Sequence, residues 1–384
     1  MRRFLISTLC LLLCIGAGAY DWVPQSNEDL RSDMIAFAEG FAAREKGTSE
    51  GRVLKRFVRS QKKAQTDAYA WIQQTVDAVL ALEKMCPPVP DDGSRAARTR
   101  RDIMLLLDFP LHADDRSPEA TEALKKAFED MSGGYRAQAR AKALDLLSKP
   151  VAEGELQVIK VYNCGVLLRT SRRTVAVDIK WEGEREEAER IAAESCAFFL
   201  SHPHHDHFSD VMMQALCDAG VECILPVDIA PSLDWEGKKV IYEDRYEPFD
   251  VNGIGVRIQT GHQKKVNNNL YLLDFDGWRV MLPGESHELE RLGELSGFDA
   301  PDLILVPTWV KAATVFEYVS KMKNFDPAKV FCVPEHENEF THTVPHRESF
   351  REMFTRKDRL GDPQAVHPTI VLLEIGESYA LRHD

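Results

Sequence analysis

The spacing of apolar residues separates a helical first part of the chain from a second part in which short strands and helices alternate. Over residues 20–150, apolar side chains recur at intervals of three and four in the segments DLRSDMIAFAEGFAA, TDAYAWIQQTVDAVLALEKM and EATEALKKAFEDM, which predicts amphipathic helices. Ser117 before Pro118 is a favourable helix start for the third segment. Proline, glycine and aspartate concentrate in PPVPDDGSRAART, which predicts a loop.

After residue 150 the pattern changes to short β-branched runs. LQVIKVYN, GVLLRT and RTVAVDI predict consecutive strands, and helical patterns near EREEAERIAAE, SDVMMQALCDAG, KAATVFEYVSKMK and RESFREMF then alternate with strands such as CAFFLS, VECILPV, KKVIYE, GVRIQT, DLILVP and KVFCVP. The runs NNLYLLDF and WRVMLPG flank Asp276 and Gly277, which predicts a hairpin. Residues 151–384 are therefore predicted to form an α/β domain with covered sheets.

The first nineteen residues have the pattern of a secretory signal. A basic start, MRR, precedes the apolar run FLISTLCLLLCIG and the cleavage signature AGA at residues 17–19. The run is short for a membrane span, and no later segment is long and apolar enough to make one. We expect an exported protein, periplasmic or secreted, that begins near Tyr20. A retained membrane anchor is one alternative; a lipoprotein acylated at Cys10 or Cys14 is another, disfavoured by the bulky leucine before each cysteine.

Charge restricts the class of partner. The net charge is −13, and removal of the signal with its two arginines takes it to −15, which argues against nucleic acid or an anionic membrane as the main partner. We expect a small-molecule substrate. The two basic runs, KKAQTDAYAW and RAARTRRD, are interpreted as solvated helix faces or loops. Cys164 stands beside apolar strand-like residues and is interpreted as a small core residue.

Four of the twelve histidines crowd into SHPHHDHFSD, directly after the predicted strand CAFFLS. Crowded imidazole rings repel one another when protonated and need partners when buried, so the cluster requires a cause. Histidine nitrogens and a carboxylate at the carboxyl end of a strand are a ligand set preferred by zinc and similar ions. The spacing offers His202 and His204 to one ion and Asp206 with His207 to a neighbour, and it leaves His205 pointing away.

Three further candidate ligands each follow a predicted strand: His262 in TGHQKK, Glu285 in LPGES and His336 in VPEHEN. Four separate strand ends thus deliver metal-binding side chains, which a purely structural role does not explain. Other readings stay open. The histidine cluster is then a surface loop with incidental metal affinity, His262 and His336 are hydrogen-bonded core residues, and Glu285 caps the turn that follows it.

This pattern resembles the metallo-β-lactamase superfamily, and within it the branch that includes the ascorbate-6-phosphate lactonases. The resemblance covers residue 156 to the C-terminus. It rests on H-x-H-x-D-H, on Asp178 in TVAVDIK, on GES at 284–286 where the family has Gly-Asp, and on P-x-H at 334–336. It implies a four-layer αββα sandwich for residues 151–384, preceded by the helical region 20–150.

The resemblance also implies two ligand sets, one for each ion: His202, His204 and His262, and then Asp206, His207 and His336. Glu285 would bridge the ions, and Asp178, unless it is only a turn residue, would orient the histidine loop through hydrogen bonds. The family has aspartate where this chain has Glu285. Because glutamate is one methylene longer than aspartate, it can bridge the two ions only if its loop sits further back. Otherwise Glu285 binds one ion, and His287 and His342 are possible substitute ligands. We expect one or two divalent ions, with zinc favoured over manganese or iron.

The expected reaction is a hydrolysis. Two ions lower the pKa of a shared water, and the hydroxide attacks a lactone, ester or amide carbonyl, while Asp206 orients the nucleophile and passes a proton to the leaving group. Lys264 and His287 are candidates for stabilising the oxyanion. Two alternatives stay open: a metallo-phosphodiesterase with phospholipase-like activity, and a catalytically silent metal- or ligand-binding protein.

Overall fold

A computed structural model of the chain describes residues 27–63, 67–111, 118–227, 229, 239–243, 247–307, 312–335 and 368–383. The predicted signal at residues 1–19 and the predicted helix near RESFREMF lie outside the described residues, as does the candidate ligand His336. No helix in the described ranges is both long and apolar enough to cross a membrane.

The helices concentrate before residue 150. The described ranges contain one 3-10 helix, Leu289–Gly297, and eight α-helices: α1 (Asn27–Arg44), α2 (Ser49–Gln61), α3 (Ala70–Glu83), α4 (Arg95–Leu111), α5 (Pro118–Leu147), α6 (Arg185–Glu194), α7 (Asp210–Asp218) and α8 (Ala312–Val319). The loop prediction is wrong from Arg95 onward, where α4 begins. The Ser94 hydroxyl accepts a hydrogen bond of 3.1 Å from the Ala97 amide, which caps α4 inside the segment predicted as a loop.

The strands form two mixed seven-stranded sheets, the first ordered β14-β1-β2-β3-β4-β5-β6 and the second β13-β12-β11-β10-β9-β8-β7. Their bounds are β1 (Glu155–Tyr162), β2 (Gly165–Arg169), β3 (Thr174–Val177), β4 (Ser195–Phe199), β5 (Glu222–Leu225), β6 (Val240–Tyr242), β7 (Phe249–Val251), β8 (Ile254–Gln263), β9 (Val266–Phe275), β10 (Trp278–Leu282), β11 (Leu303–Pro307), β12 (Phe331–Glu335), β13 (Thr369–Ile370) and β14 (Ser378–Arg382). Strands β3 to β6 pair in parallel, as do β10 to β13, and the remaining pairs are antiparallel.

The predicted hairpin between β9 and β10 is confirmed. Phe275 pairs with Trp278 across a two-residue turn, and both turn residues have positive φ, 51° at Asp276 and 85° at Gly277. This is the conformation that Asp-Gly favours, because its twist matches that of the flanking strands.

Three clusters of buried apolar residues lie between the successive layers of helices and sheets. The cluster between the sheets includes Val158 and Phe199 of the first sheet and Val280 and Leu305 of the second. A second cluster packs α6, α7 and the end of α5 against the outer face of the first sheet. A third packs α1 to α4, the 3-10 helix and α8 against the outer face of the second sheet. The four-layer αββα sandwich is therefore confirmed, and the described helices before residue 150 contribute to its outer layers.

A buried network of charges joins the helical region to the turn before β14. The basic run RAARTRRD was expected to be solvated, but the Arg100 side chain is 1% exposed and pairs with Glu377. The Tyr135 hydroxyl donates a hydrogen bond of 2.8 Å to Glu374. Burial, and then the charge of nearby Glu377, raises the pKa of Glu83 to about 8. Arg100 is thus buried because carboxylates from a distant part of the chain surround it, which the local sequence does not show.

Candidate metal centre

The candidate site lies where strands of both sheets end. Asp178 directly follows β3, the histidine loop follows β4, and Glu285 lies three residues after the end of β10. The amide of Asn269, on β9, donates a hydrogen bond of 2.8 Å to the Ser201 carbonyl, which ties the second sheet to the histidine loop. Polar side chains from both sheets therefore meet at this edge of the sandwich.

Asp178 organises the histidine loop. Its φ of 47° lies in the left-handed region, which aspartate tolerates better than most residues. The Ser201 amide donates to Oδ1 of Asp178 and the Ser201 hydroxyl to Oδ2, both at 2.6 Å. Nδ1 of His207 lies 3.0 Å from the same Oδ2. When Nδ1 donates that hydrogen bond, the lone pair of Nε2 is left for a metal ion.

His202 and His204 present nitrogens to each other. Nδ1 of His202 lies 3.0 Å from the Ser201 hydroxyl, and its Nε2 lies 3.0 Å from Nδ1 of His204. His202 is completely buried and His204 is partly buried. Burial, and then the neighbouring charge of His202, lowers the pKa of His204. This favours the neutral ring, the form that binds metal ions.

Glu285 turns one carboxylate oxygen toward each group of donors. Its Oε2 accepts a hydrogen bond of 2.7 Å from Gln263 and lies 3.2 Å from Nε2 of His202. Its Oε1 lies 3.3 Å from Nε2 of His207 and 3.9 Å from Sγ of Cys164. Burial by itself raises the pKa of Glu285, but the adjacent imidazole rings of His202 and His207 outweigh it and hold the pKa well below its ordinary value. The carboxylate is thus an anion shared by two donor groups.

These donors have the spacing that a metal ion requires. The ligand atoms of His202, His204 and Glu285 lie within 4.8 Å of one another, as do those of Cys164, His207 and Glu285. Bonds of about 2.0–2.3 Å from zinc to nitrogen, oxygen and sulfur would place the donors of one tetrahedral ion about 3.3–3.7 Å apart. In the described part of the chain, the buried Nε2 of His207 has no hydrogen-bond partner, so it is available to an ion. The residues present fit a divalent metal.

Glycine is required at position 284 to seat Glu285. Gly284 has φ 60°, and a Cβ there would overlap Oδ1 of Asn268. The amide nitrogen of Asn268 lies 3.3 Å from Nδ1 of His202. The turn that carries Glu285 therefore packs directly against a residue that touches the histidine cluster.

The other predicted ligands occupy different places. Oδ2 of Asp206 lies 3.6 Å from Nε2 of His207 and its side chain is 11% exposed, which puts it beside the second group with a small part of its surface open to solvent. The His205 side chain is 81% exposed and points away, as expected. His262 was predicted to follow a strand, but β8 continues to Gln263. Because side chains alternate along a strand, His262 and Gln263 face opposite sides of β8. The His262 ring lies 3.1 Å from Glu288 and is 41% exposed, outside both donor groups; its role as a ligand stays a prediction.

Sequence reasoning missed two contacts of Glu285. Gln263 was overlooked because the strand was predicted to end before it. Cys164 was interpreted as a core residue, yet it occupies the two-residue turn between β1 and β2, beside the corner at Asp178. A signal was present in the sequence: a turn between consecutive strands brings its residues to a sheet edge, where the ligands were already expected.

No family model matches the chain, and no curated protein matches it. Among solved structures, the metallo-β-lactamase fold protein YhfI of Bacillus subtilis is 12% identical, with 59% of this chain and 100% of YhfI covered and a TM-score of 0.42. A metallo hydrolase of the archaeon Ignicoccus hospitalis is 15% identical over 60% of this chain and 100% of its own, with a TM-score of 0.40. An isothiocyanate hydrolase from Delia radicum gut bacteria is 13% identical over 59% of this chain and 99% of its own, with a TM-score of 0.42. Likenesses of this degree leave the substrate open.

Proposed function

We propose that this protein is a metal-dependent hydrolase that acts on the lactone, ester or amide carbonyl of a small molecule. One observation carries the proposal: each oxygen of the buried Glu285 carboxylate faces a histidine nitrogen of a different donor group, Oε2 that of His202 and Oε1 that of His207. A buried carboxylate shared in this way needs positive charge on both sides, and two divalent ions supply it. Zinc suits nitrogen and oxygen donors of this kind.

The residues divide between two ion sites. His202, His204 and Oε2 of Glu285 would hold one ion, and His207 with Oε1 of Glu285 would hold the other. Divalent ions held there would lower the pKa of a bound water and polarise the carbonyl of the substrate. Asp178 and Ser201 keep the rings of His202 and His207 in fixed orientations, so the donors are in place before substrate arrives.

Asp206 is the candidate for proton transfer. Its carboxylate lies beside His207, and its side chain is 11% exposed, against 3% for Glu285. A carboxylate beside the donor groups that keeps some contact with solvent can orient the attacking water and accept its proton, then deliver that proton to the leaving group as the carbonyl–oxygen or carbonyl–nitrogen bond breaks. The acidic charge of the chain favours neutral over polyanionic substrates.

Metal content and a substrate panel test the proposal. We expect two metal equivalents per chain by elemental analysis, together with turnover of lactones or esters. His202→Ala should lose both metal and activity, while His205→Ala, on the exposed ring of the same loop, should keep both. Absence of bound metal after reconstitution would overturn the proposal. Turnover of bis-p-nitrophenyl phosphate but not of lactones, esters or amides would overturn the substrate class in favour of a phosphodiesterase.

We also propose that the protein is exported. The support is the pattern of residues 1–19, a basic start followed by an apolar run and a small-residue cleavage signature. N-terminal sequencing of the protein recovered from outside the cytoplasm should begin near Tyr20. Recovery of an intact N-terminus in the cytoplasm would contradict export.

A further inference from the structure

We infer that Cys164 is a metal ligand of this centre and supplies a thiolate beside His207 and Glu285. The inference rests on the proposed function and deepens it, because it gives the two ion sites different chemistry. One site would be built from nitrogen and oxygen donors, and the other would include sulfur.

The fold fixes Cys164 at the site. The residue lies in the turn between β1 and β2, next to Gly165. A Cβ at Gly165 would come within 2.8 Å of the Asp178 carbonyl, so the turn packs tightly against the corner that also holds His207. The turn that carries Cys164 and the ring of His207 thus both contact Asp178.

The surroundings of Cys164 are polar rather than apolar. Its side chain is completely buried, yet the three apolar clusters of the described residues include Cys217, Cys223 and Cys332 and not Cys164. Its sulfur instead lies 3.9 Å from Oε1 of Glu285, and it falls within the second group of donors. The other buried cysteines belong to apolar clusters, where cysteine serves as a small core residue.

A second observation in the same place points to an ion. Nε2 of His207 is buried, has no hydrogen-bond partner among the described residues, and lies 3.3 Å from the same Oε1 of Glu285. A buried nitrogen, a carboxylate oxygen and a sulfur lie within 4.8 Å of one another and form a donor set that a divalent ion would complete, with Asp206 beside them.

Binding releases one proton. The S–H bond of Cys164 breaks, the sulfur–metal bond forms, and the proton passes to solvent. Because thiolate is a soft ligand, this group should favour zinc or cobalt over magnesium or manganese.

Cobalt substitution tests the assignment directly. Sulfur bound to Co²⁺ gives a charge-transfer band in the near ultraviolet, which nitrogen and oxygen ligands do not. We expect the band in the full-length protein loaded with Co²⁺ and its loss in Cys164→Ala. The variant should also bind the second equivalent of Co²⁺ about tenfold more weakly than the wild type does. Cys196→Ala, a half-buried cysteine at the opposite end of β4, should keep the band and the stoichiometry. Circular dichroism verifies folding, and Cys164→Ser replaces the alanine variant if that variant does not fold.

The outcomes separate the two proposals. If the wild-type protein binds two equivalents of Co²⁺ without the band, or if Cys164→Ala keeps the band, Cys164 is not a ligand while the metal-dependent hydrolase stands. If the wild-type protein binds no Co²⁺, both proposals fail.

Discussion

Asp178 accepts two hydrogen bonds from Ser201, one from the amide and one from the hydroxyl, each 2.6 Å long. The oxygen that accepts from the hydroxyl also faces Nδ1 of His207. One carboxylate therefore sets the path of the histidine loop and the orientation of a ring within it. It does so from the position directly after β3, the strand that neighbours β4, without belonging to either donor group.

Asp178→Asn should weaken metal binding without unfolding the protein. Asparagine tolerates the left-handed φ of this position, but its amide has one acceptor oxygen where the carboxylate uses two, so either the Ser201 amide or the Ser201 hydroxyl and His207 lose their acceptor. We expect an affinity for the second ion about 10–100-fold lower, measured by competition with a chelator. Asp276→Asn is the matched control, since Asp276 also has a positive φ but pairs with Arg173 away from the site. Equal losses in both variants would contradict the role of Asp178.

Gly284→Ala should weaken metal binding and destabilise the protein, whereas Gly277→Ala should only destabilise it. Both glycines have positive φ, so alanine at either strains the backbone by about 1–2 kcal/mol. The added methyl at 284 would also displace Asn268, while at 277 it meets open space. Urea unfolding should show a loss for both variants, and metal titration should separate them. Retained metal affinity in Gly284→Ala would show that Glu285 does not depend on this turn.

Arg100→Met should destabilise the protein strongly. Removal of the buried guanidinium leaves Glu377 without its ion-pair partner, and breaking a buried pair in this way costs about 3–5 kcal/mol. Arg101→Met is the control on the same helix. Its side chain is 42% exposed and pairs with Asp91, so its loss should cost no more than about 1 kcal/mol. Comparable free energies of unfolding for the two variants would rule out the buried network as a source of stability.

Glu83 should make stability depend on pH. Its pKa of about 8 in the folded protein exceeds the ordinary value of 4.5, so the folded state holds the proton that the unfolded state releases between these values. Stability from this group is present below pH 4.5 and is lost as pH rises toward 8, by up to about 1.4 kcal/mol per pH unit. The Glu83→Gln variant stays neutral, so its free energy of unfolding should increase relative to that of the wild type as pH rises. A difference in unfolding free energy that does not change with pH would contradict this account.

Local patterns in the sequence predicted most of the strands and helices, and they predicted the histidine loop and Glu285 of the site. The Asp-Gly turn between β9 and β10 and the histidine loop after β4 are specified by residues adjacent in the chain, and both are found where expected. Glu285 was predicted at a strand end, and its longer side chain reaches both donor groups.

The errors arise where distant residues decide the outcome. Arg100 is buried because Glu377 meets it from the far end of the chain, and Cys164 faces the site because its turn packs on Asp178. The position of His262 depends on where β8 stops pairing with β9, and the strand ladder continues to Gln263 and Val266. Neither apolar spacing nor residue type records such pairings, since they form only when the sheets assemble.

The hydrogen bond from Asn269 to Ser201 joins the two sheets at one point, and the centre beside it draws its histidines from the first sheet and Glu285 from the second. An ion bound there would act as a crosslink between the two halves of the sandwich. The free energy that holds the sheets together at this edge would then follow the free metal concentration, rising by about 1.4 kcal/mol for each tenfold increase above the dissociation constant. The resistance of the protein to heat would in that case depend on the supply of metal.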